Sequence, residues 1–149
     1  MFPHSTNIVP LSVSNQAVSQ ISYSPDAAWT STSDHGVPSP FEQTNVYEAA
    51  ASFNFTGTQH SYTHCIKLTS AAGHAVAVYG SLNWGHDRYN ITLDGYSAQY
   101  NGSLYWKVGE TLLYFQSGLQ VSQNHSIQLL NAINGATTTL THIDVWIQQ

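Results

Sequence analysis

The sequence predicts an all-β fold, an antiparallel sandwich or barrel, on the basis of three observations. Short runs of alternating apolar and polar residues, separated by turn residues, follow one another at intervals of roughly 8–12 residues. No segment of about 12 residues combines a 3.6-residue apolar period with capping residues, so long helices are not expected. Of the 149 residues, 42% are hydrophobic and 12% are aromatic, which is enough for the core of one domain.

The first third of the chain carries weaker strand signals than the rest. Residues 1–19 are rich in proline, serine and asparagine and are predicted to form a leader or a first edge strand. Residues 20–32 contain a short strand that is broken at Pro25. Residues 33–46 hold two prolines and a glycine and are predicted to be a loop. We therefore expect residues 20–149 to form a single sandwich domain.

From residue 47 onward the chain is predicted to be mostly strands, roughly eight to ten in the whole domain. The clearest is the segment RYNITL at residues 88–93, where Tyr89, Ile91 and Leu93 share one face and polar residues occupy the other. The other predicted strands are YEAAASFNF, HCIKLTS, HAVAVYGS, SLYWKV, TLLYFQS, HSIQLLNAI and TTLTHIDVWIQ.

Turn residues and strand alternation agree in the second half of the chain. Asp94-Gly95 is typical of a tight hairpin, and Asn134-Gly135 is a second hairpin signal. In the last predicted strand, Ile143 and Val145 alternate with polar residues and are expected to face the core. These patterns favour antiparallel pairing of neighbouring strands.

The charge balance excludes several classes of partner. Lys67, Arg88 and Lys107 are the only lysines and arginines, and the formal net charge is −5. Nucleic-acid binding requires several cations to neutralise phosphates, so it is not expected, and neither is attraction to an anionic membrane surface. The polar residues are mainly serine, threonine, asparagine, glutamine and tyrosine, whose neutral hydrogen-bonding groups are compatible with a sugar ligand.

Four glycosylation sequons indicate a glycoprotein that is secreted or extracellular. This prediction includes association with the cell wall or the cell surface. Their acceptor residues are Asn54, Asn90, Asn101 and Asn124. Cys65 is the only cysteine, so no disulfide within the chain is possible. No stretch reaches the roughly 18 apolar residues of a membrane helix, so membrane attachment is expected only through an anchor absent from this chain.

Several motifs, in this order, carry a resemblance to a known family. They are ISYSPDAAWTSTS, GHAVAVYGS, GHDRYNITLDG, ETLLYFQSGL, NHSIQLLN and LTHIDVW. Together they resemble the galactose-binding-domain-like jelly rolls of extracellular proteins from basidiomycete fungi, over residues 20–147. The resemblance implies that the fold is an antiparallel jelly-roll β-sandwich. Many carbohydrate-binding modules share related folds, so the resemblance also implies sugar binding by a galactose-binding-like domain at residues 20–149.

The sequence does not predict a metal or another cofactor. The segment YEAAA is similar to a motif of calcium-binding modules, but Ala50 stands where those modules have a second acid. His60 and His64 would lie about 13 Å apart on an extended strand, too far to bind one zinc ion. His142 and Asp144 share a strand face and are expected to form a polar ladder or a buried hydrogen bond.

The segment NWGHDR at a predicted strand entrance is the main candidate for ligand binding. Trp84 could stack against a sugar ring, and Asp87 and Arg88 could bind sugar hydroxyls in a bidentate manner, with Asn83 and His86 beside them. In the alternative interpretation, Arg88 pairs with a carboxylate and only clamps the loop.

The next predicted hairpin offers further aromatic residues. Tyr96, Tyr105 and Trp106 flank it and could extend the platform that begins at Trp84. Alternation along the predicted strand SLYWKV places Tyr105 and Trp106 on opposite faces, so one of them is expected to be in the core and the other to extend the platform.

The function predicted from these features is that of a secreted, non-catalytic carbohydrate-binding domain, a lectin or carbohydrate-binding module for neutral glycans. The sequence contains no nucleophile elbow, phosphate loop or dinucleotide fingerprint. A homo-oligomer would strengthen weak single sites through multivalency. The alternative is an extracellular structural or protein-interaction domain without a glycan ligand.

Overall fold

Three antiparallel sheets make up the fold in the computed structural model, which describes residues 8–14, 21–34, 40–56, 73–120 and 123–148. A short 3-10 helix at Asp26–Ala28 joins two of the strands. The strands are β1 Ile8–Ser14, β2 Ile21–Ser24, β3 Thr30–Thr32, β4 Phe41–Thr44, β5 Ala50–Thr56, β6 Gly73–Leu82, β7 Arg88–Leu93, β8 Tyr96–Asn101, β9 Val108–Ser117, β10 Asn124–Asn131, β11 Thr138–Leu140 and β12 His142–Gln148.

The two larger sheets form a sandwich around one core. The first sheet has the strand order β1-β12-β6-β9 and the second has the order β2-β5-β10-β7-β8. Inward residues of both sheets belong to one buried cluster, for example Val76 and Val145 from the first sheet and Phe53, Ile91 and Ile127 from the second. This arrangement confirms the predicted all-β antiparallel jelly-roll sandwich.

Side-chain alternation on β7 and the turn that follows agree with the sequence prediction. Tyr89 and Ile91 are buried, and Leu93 is partly buried against the core. Asp94 and Gly95 both have positive φ angles, 51° and 85°, as the favoured two-residue hairpin turn requires. The turn pairs β7 with β8 from Arg88↔Asn101 to Leu93↔Tyr96.

A third sheet, with the order β11-β4-β3, was not predicted. The expected loop at 33–46 contains β4, whose Phe41 and Thr44 are buried. The strand has only four residues and pairs with the preceding strand β3 and with β11, which lies far along the chain. Its short length leaves little local alternation from which to predict it.

The C-terminal segment TTLTHIDVWIQ also differs from its prediction because it forms two strands. The chain changes sheets at Thr141, between β11 and β12. Asn134-Gly135 does form a turn, with Gly135 at φ 78°. The strand after this turn is β11 of the third sheet, which pairs with β4, so β10 and β11 do not form the predicted hairpin. On β12, Ile143 and Val145 face the core as predicted.

Several other features of the sequence fall outside the described residues, among them the strand HCIKLTS, the His60 and His64 pair, Cys65 and Lys67. Among the residues that are described, no helix has the length and apolar character needed to cross a membrane.

Candidate functional site

Two loops at one end of the sandwich carry most of the predicted site residues. The first connects β6 with β7 and contains Asn83, Trp84 and His86. The second connects β8 with β9 and contains Tyr105 and Trp106. Since both loops leave the paired strands β7 and β8 at the same end, the register Arg88↔Asn101 brings them side by side.

Asn83 links the two loops through backbone and side-chain hydrogen bonds. Its backbone N–H donates to the carbonyl of Gly102 at 3.4 Å, and its own carbonyl accepts from the N–H groups of His86 and Leu104 at 3.2 and 3.3 Å. The Asn83 side-chain Oδ1 accepts from the backbone N–H of Trp84 at 2.8 Å. Asn83 is thus part of the framework that fixes the position of Trp84.

Gly102 allows the close approach of the loops. Its N–H donates to the carbonyl of Asp87 at 2.8 Å. A Cβ at this position would lie 2.9 Å from that same carbonyl oxygen and 3.4 Å from the ring of Tyr89. A larger residue would therefore push the two loops apart.

The loop connecting β10 with β11 supports the framework from the other side. The N–H of Thr137 donates to the carbonyl of Gly85 at 3.1 Å. Behind it, the fully buried Asn131 donates from Nδ2 to the carbonyls of Val46 and Ala136, each at 3.0 Å. These bonds connect the Trp84 loop to the buried Asn131 and its neighbours.

Three large aromatic side chains, Trp84, Tyr105 and Trp106, project from this framework into solvent, and we call them the aromatic platform. Their exposed fractions are 75%, 72% and 74%. The ring of Tyr105 meets Trp84 edge-on at 6.5 Å and Trp106 edge-on at 4.8 Å between centroids. An exposed group of large apolar rings on an ordered surface is typical of a binding site.

Both Tyr105 and Trp106 are exposed, so the expectation that one of them lies in the core is wrong. Residues 105 and 106 form a bend and not part of a strand. Strand alternation therefore does not apply to them, and neither side chain points into the sandwich.

Charged groups beside the platform are paired. The Arg88 Nε lies 3.7 Å from Asp87 Oδ1, and the two side chains are 59% and 48% exposed. Asp87 Oδ1 also accepts from the backbone N–H of Arg88 at 2.8 Å. Lys107, next to Trp106, forms an ion pair with Asp34. The local charges thus cancel, which does not favour a charged ligand.

The Lys107–Asp34 pair was not among the predicted site residues. The two residues are 73 positions apart in the chain, so no local spacing pointed to the contact. Their ion pair anchors the platform loop to the segment that follows β3.

His86 is half-buried and belongs to the framework. Its Nδ1 lies 2.9 Å from the carbonyl oxygen of Ser81. Because a carbonyl oxygen only accepts, the N–H group of the ring donates this hydrogen bond. Burial lowers the pKa of His86 below its ordinary value, and the positive charge of Lys107 lowers this pKa further. The hydrogen bond to Ser81 raises the pKa, but by less than burial lowers it. The ring is accordingly neutral at pH 7.

Tyr96 does not join the aromatic platform. Tyr96 starts β8 at the hairpin turn, five residues before Asn101. It therefore lies about 17 Å along the strand from Asn101, which is at the platform end. It is 85% exposed and lines a different surface feature, a groove beside β9.

The four sequon asparagines lie on the outer face of the second sheet. Pairing places Asn54 opposite Ser126, Asn124 opposite Thr56, Asn90 opposite Gln99, and Asn101 opposite Arg88, all on the side away from the core. Three of them are exposed. Asn90 is half-buried, and its Oδ1 accepts from Gln99 Nε2 at 3.3 Å.

His142 on the outer face of the first sheet contacts two carboxylates. Its Nδ1 lies 3.2 Å from Glu110 and its Nε2 lies 3.7 Å from Asp144, and its ring stacks on Tyr79 at 4.4 Å. The polar ladder expected from His142 and Asp144 therefore includes Glu110. Within the described ranges, no group of three or more histidine, cysteine or acidic residues has the arrangement to hold a metal ion.

Comparisons with known proteins identify the fold. No protein-family model matches the sequence, and no curated protein matches it. The insecticidal crystal protein Cry2Aa is similar in structure over 95% of this chain, with a TM-score of 0.61 and 8% identity. This chain spans only 22% of the length of that protein.

A family 35 carbohydrate-binding module from Clostridium thermocellum is also similar in structure. The match has a TM-score of 0.57 and 11% identity and covers 92% of this chain and 97% of the module. At such low identities the likeness establishes a shared β-sandwich fold.

Proposed function

We propose that this protein is a non-catalytic carbohydrate-binding domain that binds neutral glycans at the aromatic platform. The observation that carries the proposal is the platform itself, in which Trp84, Tyr105 and Trp106 are each about three-quarters exposed on a loop framework held by hydrogen bonds. Exposing three large rings to water is unfavourable in a free domain, and a ligand that covers them gains their apolar area.

Sugar rings fit this surface chemically. A pyranose presents a face of C–H groups, which contacts an aromatic ring, and a rim of hydroxyl groups, which need fixed hydrogen-bonding partners. Asp87 and Arg88 lie at the entrance of β7, beside the platform loops, and supply acceptors and donors. Because each of these charges is balanced by its neighbour, a neutral glycan is favoured over a charged one.

The predicted site residues divide into two roles in this proposal. Trp84, Tyr105 and Trp106 contact the sugar, and Asp87 and Arg88 orient it. Asn83 and His86 hold the loop through backbone bonds, so they are positioning residues.

Two independent likenesses support a carbohydrate ligand. One similar structure is a carbohydrate-binding module over nearly its whole length, and the sequence motifs resemble galactose-binding-like domains of fungal extracellular proteins. We extend the proposal accordingly to a secreted lectin-like glycoprotein module. Multivalent display, for example in a homo-oligomer, would strengthen its binding.

The arrangement of charges favours binding over catalysis. Glycoside hydrolysis uses two carboxyl groups, one of them held protonated as a general acid. Asp87 and Asp34, the carboxylates beside the platform, each pair with a cation. Both carboxylates beside the platform are therefore engaged by neighbouring cations.

A glycan array followed by calorimetry tests the proposal. The array selects a neutral oligosaccharide, and titration calorimetry measures its affinity for the wild-type domain and for Trp84→Ala and Trp106→Ala. We expect each substitution to weaken binding by roughly tenfold, which corresponds to about 1.4 kcal/mol. Phe115→Ala is the matched control, since Phe115 is a half-exposed aromatic residue on β9, outside the platform.

The outcomes separate the site from the function. If the domain binds a neutral glycan and the double variant Trp84→Ala/Trp106→Ala binds it equally well, the platform is not the site. If the wild-type domain binds no glycan and light scattering shows a defined oligomer, the protein-interaction alternative replaces this proposal.

A further inference from the structure

A groove runs along one side of the sandwich, where the two sheets end. Strand β8 is the edge of the second sheet, and β9 is the edge of the first. Tyr96, Ala98 and Tyr100 on β8 pair with Leu93, Ile91 and Tyr89, and Ile91 and Tyr89 are buried in the core. Since paired residues share a face, this side of β8 faces the space between the sheets.

Strand β9 forms the opposite wall of the groove. Tyr114 and Gln116 pair with Val78 and Val76, both of which are buried between the sheets. The space between β8 and β9 is open to solvent and has a volume of about 390 Å³, within the range of small-molecule sites. Ala98, in the middle of β8, contributes a single methyl group and leaves this space unfilled.

Aromatic rings form the inner end and the rim of the groove. Tyr100 stacks on Tyr89 at 5.7 Å and meets Tyr114 edge-on at 5.8 Å. The Tyr89 hydroxyl donates to the carbonyl of Leu113 at 2.9 Å and so joins the two sheets at this point. At the other end, the largely exposed Tyr96 stands on the rim.

His125 fixes both walls of the groove at the rim end. This histidine is only 4% exposed. Its Nδ1 lies 2.7 Å from Asp94, which belongs to the β7–β8 turn, and its Nε2 lies 2.8 Å from the carbonyl of Gln120, which follows β9. Asp94 also accepts from the backbone N–H of Ser126 at 2.8 Å. The groove is therefore preformed, which lowers the entropic cost of binding.

The chemistry of the lining selects a neutral ligand with both apolar and hydroxyl surfaces. Within the described part of the chain, the groove is lined by tyrosines, aliphatic side chains, Ser117 and Gln116, and by no lysine, arginine or histidine. The carboxylate of Asp94 is already bonded to His125 and Ser126. Tyrosine rings match the C–H face of a sugar, and the hydroxyl and amide groups match its rim.

From this geometry we propose that the groove between β8 and β9 is a second binding site for a neutral saccharide, separate from the aromatic platform. The assignment of a saccharide rests on the proposed function, whereas the existence of a second site rests on the groove. Two sites on one domain would let it bind two segments of one glycan, or two glycans.

An occluding substitution with a matched control tests the second site. Ala98→Arg places a long side chain in the groove at an exposed position, so the fold is retained. Gln99→Arg adds the same charge to the next residue, on the outer face of the same strand. With a neutral oligosaccharide, we expect Ala98→Arg to weaken binding at the groove by roughly tenfold or more and Gln99→Arg to leave it unchanged.

Heteronuclear NMR reports on the two sites separately. The backbone amides of residues 96–100 and 114–119 report on the groove, and the indole N–H signals of Trp84 and Trp106 report on the platform. We expect both groups of signals to shift during the titration, with different saturation curves. In Ala98→Arg, only the groove signals should lose their response.

The possible failures are distinguishable. If only the indole signals respond and Ala98→Arg binds like the wild type, the second site is refuted and the proposed function stands. If only the groove amides respond, the platform assignment fails and the second site stands. Equal losses in Ala98→Arg and Gln99→Arg overturn the second site, because the effect would not be specific to the groove. A groove response to cyclohexanol but to no saccharide overturns the saccharide assignment.

Discussion

At the scale of single residues, His86 shows how one side chain couples the platform loop to the fold. Its ring donates to the carbonyl of Ser81, and its backbone N–H donates to the carbonyl of Asn83. Burial of the ring lowers the pKa of His86, because a charged imidazolium loses hydration inside the protein. The loop is accordingly most stable when this ring is neutral.

A pH dependence of stability follows from that shift. In the unfolded chain His86 takes up a proton near its ordinary pKa of about 6.5, and in the folded protein it does so at a lower pH. Below about pH 6.5 the unfolded state therefore binds more protons, and the free energy of unfolding falls as the pH decreases. Above that pH the contribution of His86 is fully present.

The variant His86→Asn measures this contribution. An asparagine amide can still donate to Ser81 but does not titrate. We expect urea unfolding between about pH 7 and about pH 5 to show a smaller loss of stability in the variant than in the wild type. An identical slope in both proteins would show that His86 contributes nothing to the pH dependence.

The residue types of the candidate site, and the placement of Tyr105 or Trp106 beside Trp84, could be predicted from the sequence, but the separation of Tyr96 from them could not. Trp84, Asp87 and Arg88 were identified because they cluster within a few positions. The sequence also places Tyr96 near these residues, because few positions separate it from Trp84. In the structure, Trp84 lies before the start of β7 and Tyr96 lies after its end, so the length of the strand separates the two side chains. The groove that Tyr96 lines was invisible in the sequence, because its walls come from the edges of two different sheets.

At the scale of elements, the contact between β6 and β11 holds the third sheet against the first. The Ser81 hydroxyl lies 2.8 Å from the Thr139 hydroxyl, and the Ser81 backbone N–H donates to Thr139 Oγ1 at 2.8 Å. Gly80 lies beside this contact. A Cβ at Gly80 would overlap the carbonyl oxygen of Thr139 and would lie 2.7 Å from Leu113 Cδ1.

The substitution Gly80→Ala should therefore destabilise the fold. The added methyl group must push β11 and β6 apart, and we expect a loss of roughly 1–3 kcal/mol or more in the free energy of unfolding, measured by urea denaturation. Gly118→Ala is a comparison with a different cause, since a Cβ there meets no atom within 4 Å and any loss would come from the strain of an alanine at a φ of 76°. Wild-type stability in Gly80→Ala would contradict this packing.

Strands with clear alternation could be predicted, and short strands held by distant partners could not. The face assignments on β7 and β12 follow from an unbroken two-residue period, which reflects burial on one side only. Strand β4 lies in a proline-containing stretch, and only its pairing with β3 and β11 makes it a strand. Its formation depends on long-range contacts, for which no local pattern exists.

At the scale of the whole molecule, the two sandwich faces differ in character. The outer face of the second sheet carries all four sequon asparagines. The outer face of the first sheet carries the His142 group and a contact between Phe115 and Trp146 at 5.7 Å. The platform lies at one end of the sandwich and the groove along one side, so neither coincides with the sequon face.

Expression in a eukaryotic secretory host tests the role of the sequon face. We expect intact-mass analysis to show glycans at Asn54, Asn101 and Asn124, and lower occupancy at the half-buried Asn90. Each Asn→Gln substitution should remove the mass of one glycan. Removing the sites at Asn54 and Asn124 should leave saccharide affinity unchanged, because both lie on strands away from the platform. Absence of any enzymatically removable glycan would contradict the secreted-glycoprotein proposal.

Arg88 pairs with Asp87, and Lys107 pairs with Asp34. This pairing affects the rate at which a ligand would associate with the platform. Adjacent opposite charges form short-range dipoles whose field decays quickly in water, so they cannot guide molecules from a distance. Encounters would then occur at the pace of free diffusion, and changes in ionic strength would alter neither the association rate nor the residence time to any great extent. The affinity of this domain for a neutral ligand is therefore expected to change little with moderate changes in salt concentration.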